Sequence, residues 1–422
     1  MFAVTSKPLF ATLKFDSFTL GFRSGLPRFL AVRGNSGRAE MEFIRKLGRR
    51  CCFVQSRKTN RKVEVIESEN NVVTGEDVFE AVSAGAMVPP DHLVIMVNGI
   101  IGSSADWRYA AKQFLNRLPD KVIVHCSECN SSTLTFDGVD RMGERLATEV
   151  LTVVKRWPEV SKISFVSHSL GGLVARYAIG ILYENIPIIK SSNLNEKNTN
   201  NSEQKQFLES KIAGLQPVNF ITVATPHLGS RGHRQLPFLC GLPFLEKRAP
   251  LTAHWLVGRS GKHLFLSDND DDVDGRPLLL RMVYDSEEIK FMSALRSFKR
   301  RVAYANANYD HVVGWNTSSI RRQHELPKPN LLVKHEKYPH IIHVEGESCD
   351  TIKKGTSSLG VPQNLEEEML RGLTQVPWER VDVSFHKSTQ RYVAHNTIQV
   401  KSYWLNSDGA DVVLHMIDNF VL

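Results

Sequence analysis

The six residues Ser167-His168-Ser169-Leu170-Gly171-Gly172 restrict this chain more than any other stretch, because of what flanks them. Upstream, Ile163–Val166 (ISFV) reads as a short buried strand, and downstream Gly171–Leu182 keeps a helical apolar pattern. A strand that passes into a helix through a serine needs a tight, strained turn. The residues two before and two after that serine must be small to avoid each other and the backbone. Ser167 and Gly171 meet this demand, in an S-x-S-x-G version of the commoner G-x-S-x-G. The helix start also offers unpaired N–H groups and the positive end of its dipole to an anion. The competing reading is a Ser/Gly-rich turn without chemistry; the strand before and the helix after favour a nucleophile at Ser169. His168 reads as structural, since neighbouring side chains at such a turn point apart.

The surrounding rhythm fits. His92–Val97 (HLVIMV) is a strand entering a turn at Asn98-Gly99, and Trp107, Ala110, Ala111, Phe114 and Leu118 have helical spacing. Lys121–Cys126 is a second strand. Asp140 is placed to cap a helix through Lys155 with Met142, Leu146, Val150, Leu151 and Val154 on one face. Val218–Ala224 and Arg301–Ala305 are further strands, and Ile398–Val400 is a late turn or strand. Strands alternating with helices imply an α/β fold, a mostly parallel central sheet with helices on both faces. The catalytic domain is expected over 88–422 with insertions near 188–212, 231–300 and 322–370. The first is polar between Lys190 and Lys205, and the last lacks a clean period. The middle one, with a helix around Ser286–Phe298, is where a lid would sit, or else ordinary cap helices packed on the core.

Charge is unevenly placed. Residues 1–60 carry a balance of +9, while the remaining 362 residues carry −1, so the net +8 belongs to the N-terminus. No basic stripe interleaved with aromatics follows, and nucleic acid is not expected as a partner. The acid-poor, Ser- and Arg-rich start lacks a secretory apolar region and has the composition of an organelle transit peptide; the alternative is a disordered basic tail on a cytoplasmic protein. No run reaches the ~18 apolar residues that span a bilayer. Six scattered cysteines include one C-x-x-C, Cys126 and Cys129, without the second pair a zinc site would want. No metal or cofactor is expected.

A serine nucleophile on this kind of turn takes its acid and then its base from later in the chain. Asp310, after the strand Arg301–Ala305 and an Asn-rich turn, is favoured over Asp285, whose surroundings resemble a helix N-cap. Among the later histidines His395 is preferred, ahead of His415 and His386, because it stands in a turn between apolar flanks. The oxyanion donors are expected to be the N–H of Leu170 and the N–H of Ile100, with Gly99 allowing the tight turn.

The segments LVIMVNGIIGSSADW, TFDGVDRMGERLATEV, FVSHSLGGLVARYAIG, TVATPHLG, ANANYDHVVGW and AHNTIQVKSYWL, in this order, resemble a lipase-like serine esterase family of α/β-hydrolases with plant and fungal members. The resemblance implies an α/β-hydrolase fold and hydrolysis of acyl esters, lipids among them, with Ser169, Asp310 and His395 at the matching triad positions. It implies an ester or lipid substrate and, for a plant source, a chloroplast address for the basic segment; the apolar segments at 236–257 point to contact with a lipid surface. One departure is Asn98, where many lipases have His before the oxyanion-hole glycine. Two other functions use the same fold: a non-catalytic scaffold that binds a hydrophobic ligand or protein, and acyl transfer to an alcohol by the same triad.

Overall fold

The computed structural model describes residues 90–187, 208–230, 258–269, 275–348 and 364–422. The expectations for residues 1–60, for 190–205 and for the apolar runs 236–245 and 251–257 lie outside the described residues.

β1 (His92–Val97) is buried along its whole length and pairs in parallel with β2 (Val122–Cys126) on one side and β3 (Lys162–His168) on the other. Its side chains alternate between two cores: Leu93, Ile95 and Val97 face one, Val94 and Met96 the other. A strand covered on both faces has no use for a polar face, which is why HLVIMV is a continuous apolar run. β4 (Tyr183–Pro187) and β5 (Leu208–Ile212) form a separate antiparallel pair that brackets the polar stretch. β6 (Gln216–Val223), β7 (Arg300–Asn306), β8 (Ile341–Ser348) and β9 (Trp378–Val383) complete a seven-stranded sheet in the order β2-β1-β3-β6-β7-β9-β8. All neighbours are parallel except β8 and β9. The chain grows outward from β1 in one direction and from β3 in the other. The crevice at such a reversal, outside the carboxyl ends of the strands, is where open α/β sheets bind ligands.

Helices cover both faces. α1 (Arg108–Arg117) and the helix Ala410–Asp418 bury Phe114, Val412 and Met416 on one side. α2 (Val139–Arg156) and α3 (Leu170–Ile181) cover the other, α2 through Met142, Leu146, Val150 and Val153. Each such side chain contributes about 1.5–3 kcal/mol on full burial. This is the α/β-hydrolase architecture, with β8 added antiparallel at one edge.

Three local expectations need correction. The cap of α2 is Gly138 (φ 103), not Asp140, which sits in the first turn and pairs with Arg259 at 2.7 Å. The positive φ turns the chain into the helix there, and the carboxylate contributes by facing the positive end of the dipole. The stretch 322–370 is not a featureless excursion: it contains β8 and the helix Leu365–Leu373. β8 escaped notice because it is an edge strand, with Ile341 and Ile342 buried but Val344 and Glu347 exposed, and its pairing with β9 is twice out of register. The helix expected around Ser286–Phe298 spans only Phe291–Ser297. Its first amides are taken by Asp285, which accepts from Met292 N–H (2.8 Å) and Ser293 N–H (3.1 Å). The described part of 231–300 is packed into the core through Leu278, Leu279, Leu280 and Met292.

Candidate active site

Ser169 ends β3 and caps α3 with φ 53 and ψ −129, a backbone region that non-glycine residues rarely occupy. Its own N–H extends the ladder onto Val223 O at 2.9 Å. The crowding that demands Gly171 comes from β1 rather than from Ser167: a Cβ there would lie 2.5 Å from Asn98 O and 2.6 Å from Val97 O. Ser167 is small for a separate reason, being wholly buried with its hydroxyl on Ile221 O at 3.2 Å.

The loop after β1 closes as a four-residue turn, Gly102 N–H to Gly99 O at 3.1 Å. Gly99 opens this tight turn without a positive φ of its own. The positive φ (54) belongs to Ile101, a β-branched residue for which it is strained. Gly99 is required by proximity instead, since a Cβ there would stand 2.9 Å from Ser169 Cβ. Ile101 N–H is occupied by Thr135 Oγ1 at 2.9 Å and Gly102 N–H by the turn, which leaves the Ile100 amide for another acceptor. Asn98 is buried and anchors the loop, its side-chain amide donating to Gly99 O (3.1 Å) and to Asn130 O (2.9 Å). Leu170 opens α3, whose first amides have no preceding turn to bond.

His395 lies in the four-residue helix Ala394–Thr397, and its Nε2 is 3.0 Å from Ser169 Oγ. Its Nδ1 is 3.0 Å from Asp310 Oδ2. The Asp310 side chain is 2% exposed, and its other oxygen accepts the N–H groups of Val312 and Val313, each at 2.9 Å. Burial alone would raise this carboxyl, but the charge and hydrogen bond of His395, the Asn306 amide and the Val313 N–H outweigh it, so it lies below the ordinary carboxylate value. An ionised Asp310 fixes the His395 tautomer, with Nδ1 carrying the proton and Nε2 presenting a lone pair to the serine. The rival histidines are engaged elsewhere. His415 is buried against Tyr304 OH at 2.9 Å, and burial pushes it down to about 4. His386 is exposed, with its ring 5.6 Å from that of Tyr309.

Two residues stand behind His395: His168, read from the sequence only as structural, and Asn306, which the sequence did not single out. His168 donates Nε2–H to the backbone carbonyl of His395 at 2.7 Å, with the two rings 4.6 Å apart. Burial, and then the charge of His395, hold it well below the usual imidazole value, so it is neutral. Asn306, at the end of β7, donates to Asp310 Oδ2 at 2.9 Å and to Ala394 O at 3.3 Å. The notion that His168 points away from Ser169 hid its partner, because the residue it meets is 227 positions later. Asn306 carried a usable signal, its place in the Asn-rich turn ANANYD. Away from the site, burial pushes the thiols of Cys126 and Cys129 up to about 12, which makes them poor nucleophiles.

The strand order, the strained serine and its two partners define a hydrolase-type α/β protein. The chain belongs to the family described as "Putative serine esterase (DUF676)", whose model matches residues 88–320. That match includes Ser169 and Asp310 and ends before His395. Among relatives, "Putative lipase ROG1" of Saccharomyces cerevisiae is 32% identical over 233 residues, which is 54% of this chain and 28% of that protein. "Putative lipase C4A8.10" of Schizosaccharomyces pombe is 26% identical over 236 residues, 54% of this chain and 26% of that one. The match thus spans little more than a quarter of the length of these relatives. Among solved structures, the mature lipase BlEst2 of Bacillus licheniformis is 16% identical over 55% of this chain and 71% of its own, with a TM-score of 0.28. An esterase of Pyrococcus furiosus is 16% identical over 54% and 65%, with a TM-score of 0.30. The fold assignment rests on the sheet order and the turn at Ser169, not on these overlaps.

Proposed function

We propose that this chain hydrolyses carboxylic esters, lipid acyl esters among them, through an acyl-enzyme on Ser169. The observation that carries the reading is the unbroken line Asp310–His395–Ser169, with both hydrogen bonds at 3.0 Å and the serine on a strained turn. Ser169 Oγ attacks the acyl carbon while its proton passes to His395 Nε2, and Asp310 stabilises the imidazolium. The oxygen that becomes anionic is received by the N–H groups of Leu170 and Ile100, already oriented by α3 and by the turn at Gly99. Collapse breaks the ester C–O bond, and the leaving alkoxide takes the proton from Nε2. A water then repeats the sequence on the acyl-enzyme, restoring Ser169 and releasing the acid. The family assignment supports an ester as substrate, and the names of the yeast relatives support a lipid.

The test is labelling of the full chain by a fluorophosphonate probe, together with turnover of an ester panel. Wild type is expected to label and turn over, and Ser169→Ala to do neither. An unlabelled wild type overturns the triad and leaves a binding scaffold. Labelling with ester synthesis from an added alcohol in preference to hydrolysis replaces hydrolysis by acyl transfer.

A further inference from the structure

The surface around the helix that carries His395 is unusual for a protein in water. Trp404 is 86% exposed, Tyr392 65% and Tyr403 58%, with Val393 and Leu405 also in solvent. Single exposed rings are ordinary; several in one place mark a contact surface. These are in one place because the chain is pinned. Arg391–Val393 runs directly into Ala394–Thr397, and Tyr403–Asn406 is tied back to that helix by Asn406 Nδ2 on Thr397 Oγ1 (3.0 Å) and Lys401 N–H on Asn396 O (3.1 Å). Gln390 then clamps the two arms, donating to Ser407 Oγ at 3.1 Å and accepting Asp408 N–H at 3.0 Å. A third tie reaches the element that follows the oxyanion loop. Lys401 Nζ pairs with Asp106 at 3.0 Å and Tyr403 stacks on Tyr109 at 5.0 Å, while Ile101, at the tip of that loop, is itself 48% exposed.

Charge indicates what covers this surface. Residues 386–405 contain Lys387, Arg391 and Lys401 and no Asp or Glu; Lys401 is paired with Asp106, and Asp408, just beyond, accepts from Ser388 Oγ, which leaves Lys387 and Arg391 as the cations of this surface. The Arg391 guanidinium lies 4.8 Å from the Tyr392 ring and 5.5 Å from that of Tyr309, so a cation is set among the rings. A second copy meeting this surface about a two-fold axis would bring like charges together. Aromatic rings that settle at head-group depth, flanked by cations, suit a bilayer surface carrying negative charge. We propose that the paired knuckles at 391–393 and 403–405 dock the protein on an anionic lipid surface, with the mouth of the site facing the leaflet. The choice of occupant rests on the ester-hydrolase reading of the same site.

The experiment uses the full chain carrying Ser169→Ala, so that no lipid is consumed. Binding is measured by sedimentation with vesicles of phosphatidylcholine alone and of phosphatidylcholine with phosphatidylserine. Because the basic residues 1–60 can also bind an anionic surface, two readouts isolate the knuckles. A Tyr403→Ala/Trp404→Ala chain is expected to bind phosphatidylserine vesicles about tenfold more weakly, and brominated lipids are expected to quench a tryptophan signal that Trp404→Phe removes while keeping binding. Equal binding by the double variant without loss of quenching overturns the proposal. So does self-association of the parent chain that Trp404→Ala disperses, since a second copy is then the occupant. Equal affinity for both vesicle types also overturns it, by removing the role of charge. Soluble-ester turnover, in chains that keep Ser169, separates the two readings. If wild type turns over soluble esters but the Tyr403→Ala/Trp404→Ala chain binds vesicles as tightly as its parent, the surface assignment alone falls; absent turnover in wild type removes the hydrolase reading and leaves the vesicle result standing.

Discussion

Ser169 and His395 are held by opposite means. Ser169 is positioned by backbone: it follows β3 directly, its N–H bonds β6, and the Val97 and Asn98 carbonyls press on Gly171 two residues later. His395 sits in a four-residue helix outside the sheet and is positioned by individual side chains, His168 on its own carbonyl, Asn306 on Ala394 O and Thr397 Oγ1 on Val393 O at 3.0 Å. A backbone-built position tolerates no added atom. A position built from side-chain hydrogen bonds loosens one residue at a time, and the consequences for activity should be graded accordingly.

The largest effect removes the reacting groups. Ser169→Ala and His395→Ala are each expected to lower kcat by about 10⁴-fold or more with little change in Tm, because neither side chain holds the core. A residual activity within tenfold of wild type in either variant would break the contrast at its root. The next effect tests intolerance at the backbone-built position. Gly99→Ala puts a methyl carbon 2.9 Å from Ser169 Cβ, and displacement on that scale is expected to reduce kcat about 10²-fold. Gly171→Ala, pressed by the Val97 and Asn98 carbonyls, is expected to lose about 1–3 kcal/mol of stability, read as a fall in the unfolding midpoint in urea.

The side-chain-built position should respond more gently. His168→Ala removes a buried donor and leaves His395 O unpaired, a loss of about 1–3 kcal/mol. If that loss loosens the base rather than the fold, kcat falls roughly 10- to 100-fold with KM unchanged, and His168→Gln, which keeps an N–H donor, recovers part of it. A matched change in KM, or a loss of stability with kcat intact, would reduce His168 to packing. Asn306→Ala removes one of several donors to Asp310 and a longer bond to Ala394 O, and its expected loss is about tenfold or less.

The same contrast governs what could be read from the amino acids. Backbone-built features leave a local trace. ISFV, the serine, and the helix pattern after it are contiguous, and a strand buried on both faces must be an unbroken apolar run, so β1, β2, β3, β6 and β7 were legible as strands, while their order in the sheet and β9 were not. β8 was not, because an edge strand with one wet face alternates too weakly to stand out from the loop around it. Asp310 and His395 were narrowed by chain order and by turn context, a weaker guide that left Asp285, His386 and His415 in contention. His168 left almost no trace as a support and Asn306 only its place in an Asn-rich turn, since the carbonyls they meet lie 227 and 88 positions away. Ile101 went unnoticed for a different reason: nothing in a β-branched residue advertises a left-handed backbone, which surrounding contacts impose against its preference.

The finest test asks whether His168 stays neutral beside the His395 ring. Burial holds His168 well below the ordinary imidazole value. It should therefore add no step of its own to the acid limb of log(kcat/KM), and an acid limb that changes slope in His168→Gln would mean that His168 does not remain a neutral donor. Stability should respond earlier than His168 itself does. A histidine whose folded value is depressed binds its proton first in the unfolded chain, so its contribution is present above the unfolded value of about 6.5 and declines as pH falls from there toward the folded value. Chemical unfolding at several pH values checks this: His168→Gln should flatten the decline below pH ~6.5, and an unchanged slope would place His168 in water rather than against the carbonyl of His395.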